Sequence, residues 1–353
     1  MKGRSEAPRP QGGASRIGMN RDSLRSLTSA RKARGLRSAP GHSAAIIVSL
    51  VVLAVFWALH KVLPDRQSVQ AARYFDIVLA VFTGALILSL LMFRPSSRAG
   101  SRIRSLVPLA SAVLLVLITW ELLTIKSGAL PLPYFPSVEN IVSVFFTDWK
   151  TLGVSILHSL RLLFIGYFIG LAVGIPLGIS MGWSPRWNYW ASPFLRFIGP
   201  IPATAWIPIA MAIFPTSFTA SIFLIALACF FPVTIMTWSG IANVSKSYYE
   251  IARTLGAAPF YLIRKVALPA ALPGIFVGLF MGLGVAFVTL VVGELLGVKA
   301  GLGWYINWAQ GWAEYSKVYA ALFVMAVMFS GIITLLFKFK DRVLVWQRGL
   351  IRW

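Results

Sequence analysis

Long apolar runs, separated by short polar and charged connections, follow one another along most of this chain. Eight runs can be marked, and each is close to the ~20 residues that a helix needs to cross a membrane. They lie at about 44–63, 75–93, 106–125, 156–182, 189–213, 219–240, 272–297 and 318–337. The pattern predicts an all-α integral membrane protein with about eight transmembrane helices.

Composition and charge agree with this class. The 353 residues are 58% hydrophobic and 12% charged, and the net charge is +22. In a soluble protein that charge would indicate nucleic-acid binding, which we do not expect here. Instead, 24 of the 33 Lys and Arg residues fall in five polar segments: 1–43, 94–105, 183–188, 241–271 and 338–353. The positive-inside rule then places these segments, and both termini, in the cytoplasm.

Catalytic and metal-binding patterns are absent from the sequence. The single cysteine, Cys229, lies in an apolar run, and the three histidines are too scattered to form a ligand set. The sequence contains no Walker A, GxSxG or HExxH motif. We therefore predict no catalytic residue and no metal site, and any ATP that drives this protein must bind to another chain.

The pattern divides the chain into four parts. Residues 1–43 are predicted to form a disordered basic tail. The tail could bind anionic membrane lipid, or its charge could serve only to set the topology. Residues 44–105 are predicted to form a transmembrane hairpin. Residues 106–340 form the main transmembrane domain, and 341–353 form a basic cytoplasmic tail.

A charged loop within residues 241–271 stands out between two apolar runs. The pattern predicts a short helix from Tyr248 to Leu255, with Gly256 as its left-handed cap. Pro259 suits the first turn of a second helix, which Pro269 and Pro273 are predicted to end. Two interpretations remain open from the residues alone: an ordinary connection, or a docking surface.

This loop resembles the EAA loop of ABC-importer permeases, with which that family contacts its ATPase. The matching residues are Glu250, Ala252, Gly256, Leu268 and Pro269. Two positions depart from the family pattern, since isoleucine replaces the usual second alanine at 251 and valine replaces isoleucine at 266. The resemblance implies an ATPase-coupling loop whose residues are Tyr248, Tyr249, Glu250, Ala252, Arg253, Gly256, Leu268 and Pro269.

Further stretches resemble the nitrate, sulfonate, taurine and bicarbonate branch of these permeases. They are 159–161, 200–202, 205–208, Glu294 and 301–303, and the resemblance covers about 106–340. It implies a type I ABC importer permease core of six spans, with 44–105 as an extra N-terminal hairpin. The segment 214–217 departs from the sulfonate-type pattern, which leaves the transported solute open between a small anion and a thiamine precursor or another non-anionic solute.

The resemblance also implies an assembly in the bacterial inner membrane. Two permease subunits, expected to be a homodimer, would join two ATPase subunits and a periplasmic or lipid-anchored substrate-binding protein. ATP and magnesium would bind to the ATPase, and no cofactor is expected on this chain. The rival class is a secondary transporter, but such proteins place carboxylates near mid-span, whereas Glu121 and Glu294 lie near span ends.

Features within the spans suggest a translocation pathway. Glycines recur every four residues from Gly166 to Gly182 and again from Gly274 to Gly282, which favours close helix packing with or without movement. Prolines interrupt the run 189–213, as in the broken helices of transporters. Arg161 could attract an anion, reach the interface or pair with a carboxylate such as Glu294. The candidate pathway residues are Ser159, Arg161, Pro202, Trp206 and Glu294.

Two segments on the predicted outer side are rich in aromatic or apolar residues. Residues 138–149 follow helical spacing, and 301–315 contain three tryptophans and two tyrosines. The expected structure is an interfacial aromatic belt, and the alternative is a docking or gating surface.

Overall fold

The structure, a computed structural model, describes residues 41–66, 72–92, 98–295 and 297–347. Every regular element among these residues is helical, which confirms the all-α class. The helices are α1 (Gly41–Val62), α2 (Ala72–Met92), α3 (Arg98–Glu121), α4 (Val138–Thr147), α5 (Trp149–Trp183), α6 (Pro185–Ile198), α7 (Ile207–Ile213), α8 (Ser217–Ala242), α9 (Lys246–Thr254), α10 (Pro259–Tyr261), α11 (Leu268–Leu295), α12 (Leu302–Gly311) and α13 (Tyr315–Val343). Short 3₁₀ turns occupy Ala203–Trp206 and Val345–Gln347, and π-helical turns occupy Leu122–Lys126 and Leu262–Ala267.

Five helical segments of the described residues are long and apolar enough to cross a membrane, and a sixth is counted if one bent pair forms a single span. The five are Val107–Lys126, Trp149–Trp183, Ser217–Ala242, Pro259–Leu295 and Tyr315–Val343. Each coincides with a predicted apolar run. Helices α1 and α2 occupy the first two predicted runs, and the total of eight spans stays a prediction.

The predicted tails lie largely outside the described residues, which begin at 41 and end at 347. The helices extend a few residues into both predicted tails. Helix α1 begins at Gly41, inside the predicted tail 1–43, and α13 continues to Val343, inside the predicted tail 341–353.

The chain divides into two compact units, 1–62 with 83–116 and 63–82 with 117–353. In the first unit, the Ser49 hydroxyl meets the Ser111 hydroxyl and the Val107 carbonyl, and Trp57 Nε1 donates to Thr83 Oγ1 at 3.2 Å. These bonds join its helices through small polar groups, as is common between membrane helices. The second unit contains the coupling loop and all candidate pathway residues.

Helix α8 forms the centre of the second unit, because both glycine rows pack against it. A β-carbon placed on Gly178 would lie 2.6 Å from Thr237 Cβ, and one on Gly278 would lie 2.8 Å from Met236 Cβ. The glycines therefore permit α5 and α11 to approach α8 more closely than any side chain would allow. The predicted close packing is confirmed, whereas the predicted movement is untested.

The same contacts give the directions of the helices. Gly166 of α5 faces Ile225 and Gly182 faces Ile241, so α5 and α8 run parallel. On α11, Ala271 faces Gly240 of α8 and Gly293 faces Ser221, so α11 runs antiparallel to α8. The coupling loop and the junction after Trp183 consequently share one end of the bundle, which we call the loop end. Helix α12 and the start of α5 lie at the opposite, far end.

The run 189–213 is broken, as its prolines predicted. Helix α6 and the segment Ala203–Ile213 meet at an angle of 85°. The break spans Gly199 to Pro202, where proline nitrogens lack the hydrogen that a continuous helix would need. One straight fifth span is therefore excluded.

The prediction that Pro269 and Pro273 end a helix is wrong. Residues from Pro259 to Leu295 form one continuous apolar helical segment. The helix widens to π geometry just before Pro269, and the Leu268 amide donates to the Ile263 carbonyl five residues back. This local widening accommodates the missing proline donor, as in other membrane helices.

Candidate functional site

The first candidate site is the coupling loop, and its helix α9 ends in a complete Schellman motif. The Gly256 amide donates to the Arg253 carbonyl at 2.9 Å, and the Ala257 amide donates to the Ala252 carbonyl at 3.0 Å. Gly256 has φ +81°, which confirms the predicted left-handed cap. Only glycine adopts this conformation without cost, so Gly256 determines the angle at which the chain leaves α9.

An apolar groove of about 670 Å³ lies between α9 and the following helical segment. Helix α9 contributes a stripe at i, i+3, i+4 and i+7 made of Tyr248, Ile251, Ala252 and Leu255. Leu255 is 83% exposed, and Tyr261 faces it across the groove with half of its side chain exposed. A stripe of apolar side chains that the protein leaves open to water is typical of a protein-docking surface.

The opposite side of α9 packs onto the bundle. Tyr249 meets the Trp183 ring edge-on at 5.7 Å and joins a core that contains Ile241, Ala267 and Ile275. Partial burial raises the pKa of the Tyr249 hydroxyl. Tyr249 thus anchors α9 to the ends of α5, α8 and α11, and the apolar groove lies on a supported helix.

The exposed charges of this loop are mainly positive, and they lie on both faces of α9. Lys265 lines the groove. Lys246, Glu250 and Arg253 line a separate pocket on the opposite face, with Trp183 and Tyr249. Leu268 and Pro269 are half-buried at the base of α11. An apolar groove with a lysine at its edge suits a partner whose surface is mainly apolar and carries an acidic group beside the contact.

Two candidate pathway residues meet at the far end. Ser159 Oγ donates to Glu294 Oε1 at 2.6 Å, and Glu294 Oε2 accepts from the Gly303 amide at 2.7 Å. The Leu302 amide donates to Ser159 Oγ at 2.8 Å. Both side chains are fully buried, at 0% exposure. Glu294 is thus hydrogen-bonded to Ser159 and to the start of α12, and the alternative in which it pairs with Arg161 is not observed.

Arg161 faces away from this cluster and is exposed. Its guanidinium lies 5.4 Å from the centre of the Phe218 ring, and the His158 ring meets the same phenylalanine edge-on at 5.7 Å. Arg161 is 22 residues before Trp183, or about 33 Å along α5, so it lies about one hydrocarbon thickness from the loop end. The sequence showed no reason to single out His158, because its neighbour Phe218 is distant in the chain.

The other two pathway candidates lie at the break between α6 and α7. Pro202 lines an apolar cleft of about 300 Å³ with Phe231 of α8 and Met281 of α11. Trp206 packs beside this break against Ala210 and Leu224. Glu294 is 13 residues beyond Met281, or about 20 Å along α11, so the cleft and the far-end cluster are separate places.

The aromatic segment at the far end is only partly a belt. Trp312 is 70% exposed, as that prediction requires, but Tyr305 is fully buried and donates to Asp148 Oδ2 at 2.6 Å. Burial, followed by this hydrogen bond, raises the pKa of Tyr305 above its usual value. Lys317 lies 3.7 Å from the same carboxylate and 4.6 Å from the Trp308 ring. Tyr305 is therefore a packing residue that joins α12 to the start of α5.

Residues 174–344 match the family described as binding-protein-dependent transport system inner membrane component. The matched region includes the coupling loop, the cleft and Glu294. The chain is therefore similar to that family over just under half of its own length. The match confirms the resemblance drawn from residues 250–269.

Individual relatives support the same family. The chain is 31% identical over 163 residues to a putative ABC transporter permease of Methanocaldococcus jannaschii, covering 44% of this chain and 60% of that protein. It is 30% identical over 177 residues to the nitrate import permease of Leptolyngbya laminosa, covering 48% and 63%. It is 34% identical over 162 residues to a putative aliphatic sulfonates transport permease of Escherichia coli, covering 44% and 60%. The matches thus span about 60% of the length of these relatives.

Among solved structures, the chain is similar to one titled as an inward-facing conformation of the MetNI methionine ABC transporter. The identity is 21% and the TM-score is 0.49, and the match covers 56% of this chain and 98% of that one.

Proposed function

We propose that this chain is the membrane-spanning permease subunit of an ATP-driven ABC importer, and that residues 241–271 dock its ATPase. The observation that carries the proposal is the exposed apolar groove on the coupling loop, held in position by the Schellman cap and by Tyr249. The family match over residues 174–344 supports it, as do the names of the matched relatives. ATP and magnesium would bind to the partner chain.

The proposed orientation has the loop end and both termini in the cytoplasm of a bacterial inner membrane. Charge supports it, because the basic segments 183–188 and 241–271 lie together at the loop end, where the positive-inside rule places them. The proposed assembly contains two copies of this chain, two ATPase subunits and a substrate-binding protein at the far end.

The docking proposal predicts that Leu255→Lys releases the ATPase. Leu255 is the most exposed apolar side chain in the groove, and burying a lysine there would cost about 2 kcal/mol, or roughly 30-fold in affinity. The measurement is co-purification of a co-expressed ABC ATPase with the chain in detergent. Val345→Lys is the matched control, because Val345 is also exposed but lies outside the groove. Equal recovery of ATPase with both variants would contradict the proposal.

We further propose that the solute is a small anion such as nitrate, a sulfonate, taurine or bicarbonate. The support is the exposed Arg161 beside His158 at the far end, together with relatives named as nitrate, sulfonate and bicarbonate permeases. A thiamine precursor or another non-anionic solute is the alternative.

If an anion passes Arg161, Arg161→Gln should lower uptake of labelled nitrate, taurine or bicarbonate about tenfold, because about 1.4 kcal/mol of attraction is lost. Arg161→Lys retains the charge and should keep most of the uptake. Arg196→Gln, an exposed arginine on α6, is the control and should change little. If Arg161→Gln leaves the uptake of all three anions unchanged, the result contradicts the anion proposal and favours a neutral or cationic solute.

A further inference from the structure

A four-part cluster at the far end joins three helices through direct, buried hydrogen bonds. We call it the far-end clasp, and it consists of the side chains of Ser159 and Glu294 and the amides of Leu302 and Gly303. Ser159 accepts from one amide and donates to the carboxylate, and the carboxylate accepts from the other amide. The partial positive charge at the start of α12 faces the carboxylate, which further favours the arrangement.

The local sequence is shaped around this carboxylate. Gly301 has φ +136°, and a β-carbon on it would fall on the Glu294 carboxylate. A β-carbon on Gly303 would lie 2.8 Å from both Glu294 Cβ and the Val291 carbonyl. Two glycines are thus required for α12 to approach α11 so closely. The two glycines thus leave the space that the Glu294 side chain occupies in this turn.

Helix α11 connects the clasp to the coupling loop. The segment Pro259–Leu295 is helical throughout and about 55 Å long. Tyr261 in the groove and Glu294 in the clasp therefore lie on the same helical segment. Ser221 Oγ adds a bond from α8 to the Gly293 carbonyl at 3.2 Å, one residue before the clasp. This continuous helical segment is the physical connection between the groove and the clasp.

We propose that Ser159 and Glu294 are positioning residues that make α12 move together with α5 and α11, so that a displacement of the coupling loop reaches the far end of the permease. This inference rests on the proposed docking of an ATPase at the coupling loop. Helix α12 is the element whose response should be measurable at the far surface, because it leads from the buried Tyr305 to the exposed Trp312 directly after its end.

The test uses the full chain together with its ATPase in lipid nanodiscs. It measures the rate of backbone amide hydrogen exchange in residues 302–311 in two states: without nucleotide, and after the ATPase is trapped with ATP and vanadate. In the wild type, trapping should change α12 exchange at least threefold. Ser159→Ala and Glu294→Ala should each raise nucleotide-free α12 exchange about tenfold and remove the response to trapping, while ATP hydrolysis continues. Because both variants break one shared cluster, the double variant should be no worse than either single one.

Two further variants separate positioning from general instability. Glu294→Gln should behave like the wild type, since its amide oxygen accepts from Gly303 and its amino group donates to Ser159. Ser155→Ala is the matched control, one turn earlier on α5, where a hydroxyl of 1% exposure has no hydrogen-bond partner among the described residues. It should leave exchange in α12 unchanged.

A response to trapping that persists in Ser159→Ala, or a Ser155→Ala variant that matches Ser159→Ala, would overturn the clasp proposal alone. Failure of the wild type to bind the ATPase would instead overturn the docking proposal, and the nucleotide-free exchange would still decide whether the clasp holds α12.

Discussion

Replacement of Gly256 by valine should lower ATPase association about tenfold or more while the chain remains folded in the membrane. Gly256 has φ +81°, and left-handed backbone costs an L-residue about 1–2 kcal/mol, with β-branched residues worst placed. A β-carbon at this position meets no atom within 4 Å, so the penalty comes from the backbone and not from a clash. The chain should relieve it by unwinding the end of α9, which carries Leu255 and closes the groove.

The measurement is recovery of the ATPase with the purified chain, which should fall at least tenfold for Gly256→Val. Asparagine tolerates the left-handed region, so Gly256→Asn should retain most of the ATPase. Gly331→Val in α13 is a second control, because its β-carbon also meets nothing and its backbone is helical. Equal loss in Gly256→Asn and Gly256→Val would show that the cap geometry is not what the ATPase needs.

The second large effect is expected where α5 crosses α8. A β-carbon on Gly170 would overlap Cys229 Sγ and lie 2.6 Å from the Ala226 carbonyl oxygen, which is backbone and cannot rotate away. Gly170→Ala should therefore force the two helices apart and lower the free energy of unfolding by about 1–3 kcal/mol.

Gly153→Ala in the same helix gives the opposite expectation. Its β-carbon meets no atom within 4 Å, so the usual helix preference for alanine should stabilise the protein by about 0.5–1 kcal/mol. Thermal unfolding of both variants in the same detergent measures the difference. Stabilisation by Gly170→Ala would mean that α5 and α8 do not approach each other as closely as the structure shows.

Much of the fold followed from short-range patterns. Runs of apolar residues located the spans, because crossing a membrane requires about 20 of them in sequence. Gly256 was predictable as a cap because it follows a short amphipathic stretch and precedes Pro259 by three residues. The rows Gly166–Gly182 and Gly274–Gly282 indicated close packing, although the sequence did not show that both rows face α8.

Long-range contacts and local backbone adjustments were not predictable. Ser159 and Glu294 are 135 residues apart, and each is an ordinary polar residue near a span end until the fold joins them. The sequence predicts helix ends at Pro269 and Pro273, but a π turn before them compensates for the missing proline donor, and no residue type specifies such a turn. Its aromatic pattern predicts an interfacial Tyr305, because the partner Asp148 is 157 residues away.

The central claim is that an ATPase covers the groove on the coupling loop from the cytoplasmic side. The most direct measurement is maleimide labelling of Leu255→Cys in membrane vesicles, which is clean because the single native cysteine, Cys229, is buried. The account predicts labelling in inside-out vesicles stripped of ATPase, protection at least tenfold when the ATPase is added back, and no labelling in right-side-out vesicles. Labelling from the outer side, or labelling that bound and active ATPase leaves unchanged, would contradict it.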